Sequence, residues 1–509
     1  MSLPIVDTPL DARPVLPAIR SEGWDRTLEA ALVAAPGLEA VIEKLRAPNA
    51  LVVTTGQQAG LFTGPVYTVS KALSARALAV ALEHRWQRPV VPLFWVPGDD
   101  HDFDEVARVS WLGGDGALAT ASLAPRPAEA PLTPMAREPL GEAVLAALAQ
   151  FEASFPDAET RAEAVAWLRR HYRPEASVAG AFGGAMAELL APLGVACLDS
   201  THPTVKRAAA PLFLQALRRG SELNQALVGR AAALDAAGRG ASVAVGDGAS
   251  LVFLDGPVGR DRLVQDGDGF LTRRGRIRCT MPELEDIAAR FPERLSGNVL
   301  LRPVVESAVL STVAYVAGPA ELRYLELAAV LYEKLGVQRQ QPVPRWSGLF
   351  VEPRVTRVLQ KHGAALDELL ADGSALETRI ARGVLPEGTE TAFAALRSTI
   401  EQGYVPVVGA AAAVDPTLER PAQSARVQAL HATEELEKKV LQHAKKRAAV
   451  ELAQVARARL AVHPDGKPQE RLLAMAGFLA RYGMGLVGTL SAHIEAWYAR
   501  ALEGDPPTA

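Results

Sequence analysis

LVVTTGQQAGLFTGPVYTVSKALSARALA, residues 51–79, decides the fold. Leu51–Thr54 is a short β-rich run, Thr55–Pro65 is glycine-rich, and Val66 to about His84 carries a helical pattern. Strand, Gly-rich turn and helix open a βαβ unit. The next apolar run, VVPLFWV at Val90–Val96, is continuous rather than alternating, as expected of a parallel strand buried on both faces. It stops at GDDHDFDE, residues 98–105. Val195–Asp199 (VACLD) repeats the pattern and is followed by Ser200, Thr201, His202 and Pro203. Val299–Leu301 and Thr312–Val316 are two more strand candidates, the second ending in Ala317, Gly318 and Pro319. The expected class is α/β with a parallel sheet.

Further out, the strands are interrupted. Ala107–Leu112 reads as another strand, Gly113–Pro139 is an Ala-, Pro- and Gly-rich excursion, and Leu145–Arg173 returns to helical periodicity. Ser242–Leu254 reads as a hairpin turning at Gly246–Gly248, and Asp255–Arg278 as loops or a small β insertion. This places insertions near 113–175 and 240–290 within a domain of residues 1–354. Beyond Arg354 the pattern is helical. Asp415 before Pro416 is a helix-start signal. A heptad frame then runs Val427, Leu430, Glu434, Glu437, Leu441, Ala444, Ala448, Glu451, Val455, Ala458 and Val462. Its three glutamates make a weak seam. Residues 355–509 are therefore expected to form a coiled-coil hairpin closed by helices from Gln469 to Ala501; the alternative is a long solvated helix docked on the core.

The chain has 509 residues, 49% hydrophobic and 22% charged, which is ordinary globular composition. Lys+Arg is 54 against 58 Asp+Glu, so no broad footprint for nucleic acid is visible. Two cysteines, Cys197 and Cys279, make neither a disulfide framework nor a Cys-based zinc site and suit the reducing cytosol. The first residues show no basic and apolar signal-peptide pattern, and no apolar run approaches the ~20 residues of a membrane helix.

Three segments could carry chemistry. In the first, Thr55, Gly56, Gln57, Gln58, Thr63, Gly64 and Lys71 surround a strand-to-helix turn, where exposed amides and the helix dipole favour an anion. The spacing matches neither GxGxxG nor the Walker loop, and a glycine-requiring tight turn explains it equally well. In the second, Asp99, Asp100, His101, Asp102, Asp104 and Glu105 follow a buried strand, where ligands of open α/β sheets bind. Such a cluster could hold a metal, supply a base, or bind an ammonium group, although neighbouring residues in an extended segment point to opposite sides. In the third, Asn298, Arg302, Glu306, Tyr315, Gly318, Glu321 and Tyr324, with Arg345 further on, bring arginines suited to carboxylate or phosphate; a structural ion pair is the plain alternative. GxSxG and HExxH motifs are absent.

These segments, with PLFWVPGDDHDFDEV, NVLLRPVV, STVAYVAGPAELRYLE and HPDGKPQERLL, resemble the bacillithiol biosynthesis cysteine-adding enzymes, BshC, in order from Leu51 to Leu473. The resemblance implies a Rossmann-like core with connecting-peptide insertions and a C-terminal coiled coil that forms a homodimer. It implies a cytoplasmic ligase adding L-cysteine to glucosaminyl-malate. Amide formation from a free carboxylate needs activation, which leaves ATP or another nucleotide as the candidate cosubstrate; no metal is expected beyond Mg²⁺ with that nucleotide, and HIGH and KMSKS motifs are missing. On this reading Gly56, Gln57, Gln58, Thr63 and Gly64 bind ligand, Asp100, His101 and Asp102 bind the amine and act as base, and Arg302 and Arg345 hold the malate carboxylates. Asp99, Glu306, Ser311 and Leu325 depart from the family's Glu, Gln, Pro and Trp, and Glu306 is expected to add charge near the substrate anion. The rival readings are a metal-dependent hydrolase built on the Asp/His cluster and a non-enzymatic coiled-coil scaffold.

Overall fold

The computed structural model describes residues 3–9, 12–19, 23–240, 243–246, 248–371 and 374–503. Five strands form its central sheet: Leu51–Gly56 (β1), Val90–Val96 (β2), Ala196–Asp199 (β3), Thr312–Ala317 (β4) and Gln341–Pro344 (β5). All pair in parallel, in the spatial order β5-β4-β1-β2-β3. Every residue of β1, β2 and β4 is buried, which is why these runs are apolar without alternation. After β1 the chain proceeds to one side of the sheet and after β4 to the other. The switch point therefore lies between β1 and β4, where open α/β sheets bind ligands at the carboxyl ends of the strands.

Val299–Leu301 is not a strand. Asn298 Oδ1 accepts from the amides of Leu300 and Leu301 at 3.1 and 2.9 Å, turning the chain into the Arg302–Leu310 helix. A short apolar run fits a buried turn as well as a strand. Residues 242 and 247 of the expected 242–254 hairpin lie outside the described residues. The hairpin that forms is one step later, Ala249–Gly256 with Gly259–Asp266. Gly259 has φ +81°, and a Cβ there would lie 2.4 Å from the Leu132 backbone, so glycine is required at this turn. Gly269–Thr272, Arg278–Cys279 and Leu295–Gly297 complete an antiparallel sheet. An earlier excursion comprises the hairpin Arg108–Leu112 with Leu118–Ser122 and the helices Ala143–Ala153 and Glu159–His171.

The chain divides into two compact units, residues 5–349 with 469–509, and 1–4 with 350–468. Gln469–Glu503, part of the segment 355–509 expected to be helical, is helical and packs within the sheet unit. Its Leu486–Ala501 helix packs on the Val66–Trp86 helix that follows β1, and Tyr498 Oη donates to Pro344 O at 2.7 Å. In the other unit the helices Thr389–Val414 and Glu419–Arg447 pack side by side. Asp415 caps the turn between them, its Oδ1 accepting from the Thr417 amide at 2.8 Å. The heptad frame is buried at Ala444, Ala448, Val455, Ala458 and Val462 but exposed at Val427. Two of its glutamates are paired within the unit, Glu437 with Arg397 and Glu451 with Lys361. Among the described residues no helix is long and apolar enough to cross a membrane.

Candidate active site

The carboxyl ends of β1, β2 and β4 open on a cavity of about 580 Å³. Gly56, Gln57 and Gln58 reach it from β1, Asp99, Asp100 and Glu105 from the loop after β2, and Gly318 to Glu321 from the turn after β4. Gly56 must be glycine, because a Cβ there would lie 2.8 Å from Trp95 O on the adjacent strand.

Beneath the switch point sits Lys71, 1% exposed at its side chain. Its Nζ donates to Gly56 O and meets Glu321 Oε2, each at 2.5 Å. This lysine clasps the ends of β1 and β4 together. Burial pulls its ammonium below the usual lysine range, against the attraction of Glu321. Glu321 occupies the third position of the Pro319–Leu335 helix and reaches back to the Gly318 amide at 2.7 Å. It also accepts from Tyr315 Oη at 2.8 Å and Tyr324 Oη at 3.3 Å. Burial alone would lift its carboxyl, but Lys71 and the Gly318 amide outweigh this and hold it below the usual range. Arg302 donates through Nη1 to Glu306 at 2.8 Å and through Nη2 to Tyr315 and Tyr324 at 3.3 and 3.1 Å. Glu306 is fully buried, pairs with Arg302 and does not itself line the cavity.

The acidic loop disperses its side chains. Asp99 pairs with buried Lys206 at 2.5 Å. Asp100 accepts from Gln58 Nε2 and, at 2.7 Å, from the His101 amide. His101 Nδ1 accepts from Arg260 at 3.1 Å, which leaves the proton of the neutral ring on Nε2. Asp102 is exposed and caps the Phe103–Val106 helix. Of the three residues expected to be catalytic, Asp100 lines the cavity while His101 and Asp102 do not. Glu105 joins Asp100 there, its Oε2 3.4 Å from the same Gln58 Nε2. The two carboxyls are driven apart: burial would lift Asp100, but Gln58 and Arg260 hold it low, whereas burial, then Asp102 and Asp100, lift Glu105. Among the described residues no group of three or more His, Cys, Asp or Glu is placed to hold a metal ion.

Several other expected site residues serve the scaffold. Thr55 Oγ1 donates to Val316 O at 2.8 Å, tying β1 to β4. Thr63 and Gly64 are buried away from the cavity, with φ +69° and +68°, and the Thr63 amide donates to Tyr172 Oη. Of the amides at the start of the Val66–Trp86 helix, Val66's donates to Leu473 O at 2.8 Å and Thr68's to Pro65 O at 2.9 Å. Tyr315 lies below the cavity floor, and the Gly318 amide is spent on Glu321. Arg345 lines the cavity, but both its Nη atoms bind buried Glu470, at 2.7 and 2.5 Å. The structural ion pair is thus the role this arginine takes. Sequence reasoning did not single out Tyr67, Arg260, Glu470 or Arg471. Arg260 reaches the cavity from the antiparallel insertion, stacking on Phe253 at 4.0 Å and donating to Ser296 Oγ and Gly297 O. The charge-rich insertion offered no spacing to mark it.

A parallel sheet whose switch point opens on a cavity lined by charged side chains has the form of an α/β protein that binds a small molecule. Residues 27–346 match the N-terminal Rossmann-like domain of bacillithiol biosynthesis BshC, and residues 348–498 its C-terminal coiled-coil domain. The cysteine ligase BshC of Symbiobacterium thermophilum is 33% identical, covering 91% of this chain and 86% of its own. That of Koribacter versatilis is 33% identical over 90% and 84%, and that of Chlorobaculum tepidum 29% over 90% and 84%. The chain belongs to the BshC family of bacillithiol biosynthesis, and it is a ligase.

Proposed function

We propose that the chain joins the carboxyl group of L-cysteine to the amino group of glucosaminyl-malate, in the cytosol. The observation that carries this reading is one enclosure lined both by carboxylates, Asp100 and Glu105 among them, and by arginines, Arg302 and Arg471 among them. An amino sugar bearing a dicarboxylic acid is complementary to both. The cysteine carboxylate needs a leaving group, supplied by ATP or another nucleotide as an acyl adenylate or acyl phosphate. The bound ammonium first gives up a proton; the amine then attacks the acyl carbon, forms the C–N bond, expels the nucleotide or phosphate and releases a second proton. Asp100, held ionised, receives the ammonium. Glu105, its pKa raised by burial and by the neighbouring carboxylates, takes the first of these protons from the ammonium, and the second passes to solvent. Arg302, 23% exposed at its side chain, offers its remaining donors to a malate carboxylate.

Mass spectrometry of the purified protein with L-cysteine and glucosaminyl-malate, with and without ATP, tests this. The expected result is the cysteinyl adduct with nucleotide present and none without it. Absence of product under both conditions, with other nucleoside triphosphates also tried, overturns the substrate assignment.

In the same reading two copies associate through the helical unit. Val405, Val407, Val414 and Val427 are 66, 52, 81 and 59% exposed on its two long helices, an apolar load that association would cover. Sedimentation velocity is expected to show a dimer for the wild type and a monomer for Val405→Glu with Val427→Glu. A wild-type monomer at micromolar concentration refutes it.

A further inference from the structure

The cations around the cavity are not equally available. Lys71 is held by Glu321, Arg302 by Glu306 and Arg345 by Glu470. Arg260 is spent on Ser296 Oγ, Gly297 O and His101 Nδ1, with Asp99 and Asp100 nearby. Arg471 lines the same cavity, is exposed, and makes no ion pair among the described residues. Its position is nevertheless defined. The preceding residue, Glu470, is 4% exposed and accepts from both Nη atoms of Arg345 and from Ser347 Oγ at 2.9 Å. That clamp anchors the backbone carrying Arg471.

We propose that Arg471 is the specificity determinant that selects an acceptor bearing carboxylates. The proposal rests on the acceptor named above and gives its anionic end a partner. Tyr67 sets the direction. Tyr67 lines the same cavity, and Glu105, Glu321, Arg345 and Arg471 all act on its hydroxyl, so charges of both signs surround one ring. An acceptor with its amine at Glu105 and its carboxylates at Arg471 lies across Tyr67, which also receives a hydrogen bond from Gln57 Nε2 at 2.8 Å. Cysteine has one carboxylate, which is the group to be activated, and so has none left over for Arg471. A contact remote from the reacting atoms binds ground state and transition state alike, so its loss appears in KM.

The test is steady-state kinetics of Arg471→Gln and Arg471→Lys with two acceptors, glucosaminyl-malate and the methyl glycoside of glucosamine, which keeps the amine but has no carboxylate. Arg471→Gln is expected to raise KM for glucosaminyl-malate ~10–100-fold, the size of a lost charge-assisted contact, with kcat within about twofold. KM for cysteine and for the methyl glycoside should stay unchanged, and lysine should recover part of the loss because it keeps the charge without the fork. An equal rise for both acceptors, or a rise confined to cysteine or nucleotide, overturns the proposal. Should the wild type turn over neither acceptor, the substrate reading itself has failed. Calorimetric titration with L-malate then decides on Arg471: binding lost in Arg471→Gln supports it, and equal heats, or none from either protein, overturn it.

Discussion

Lys71→Met is expected to lower folding stability by about 3–5 kcal/mol, because it leaves the Glu321 carboxylate buried without its partner. The lysine is 1% exposed, and its Nζ is the only cation in direct contact with Glu321 among the described residues. The loss is also architectural. Without the bond to Gly56 O, the end of β1 loses its link through Lys71 to Glu321 at the turn after β4, and activity should disappear with stability. Adding Glu321→Gln should restore a large part of the stability without restoring activity, since an uncharged pair removes the desolvation cost but not the missing clasp. Urea midpoints of the wild type, both single variants and the double variant measure this directly. If the double variant is as unstable as the sum of the singles, the two side chains do not act as a pair. The acid limb carries a second signature. Glu321 is held below the usual carboxylate range in the folded state, so its contribution is present above the unfolded pKa and is lost as pH falls through the folded one. Glu321→Gln should lack that part of the acid-induced loss.

Glu105→Gln is expected to reduce kcat ~10²–10⁴-fold, the usual worth of a general base, with little change in stability. Glu105 lines the cavity with its residue surface open to solvent and its carboxyl turned partly inward, so its removal disturbs no apolar core. The pH profile separates a proton-accepting role from a structural one. The base works only when ionised, so the rate should fall as pH drops through its pKa, which burial and the neighbouring Asp102 and Asp100 charges place above the ordinary glutamate range. Asp100→Asn removes one repelling charge and should move that limb to lower pH, besides weakening amine binding. A Glu105→Gln enzyme with kcat within about threefold of wild type, or an acid limb unmoved by Asp100→Asn, would remove the assignment.

The parts of this molecule legible in the sequence are those that depend on neighbours within a dozen residues. β1 and β2 could be read because strands covered on both faces must be apolar throughout, and the glycine-rich segment after β1 because its backbone demands it. Asp415 with Pro416 announced a helix start for the same local reason, and the long motifs shared with the family fixed the order of the domains. Val299–Leu301 misled because three apolar residues have no period to distinguish a strand from a turn. Everything that depends on which distant segments meet was decided by tertiary structure. Arg345 and Glu470 stand 125 positions apart, and no local signal says that the arginine is already occupied. Arg260 enters the cavity only because the antiparallel insertion packs beside the acidic loop, and Gln469–Glu503 returns to the sheet although its helical pattern resembles that of the preceding hairpin. Composition and periodicity thus determined which segments could be strands, helices and turns. The partner of each charge, and so which arginine remains open to a ligand, followed only from the fold, because an ion pair is a property of proximity in space and carries no spacing in the chain.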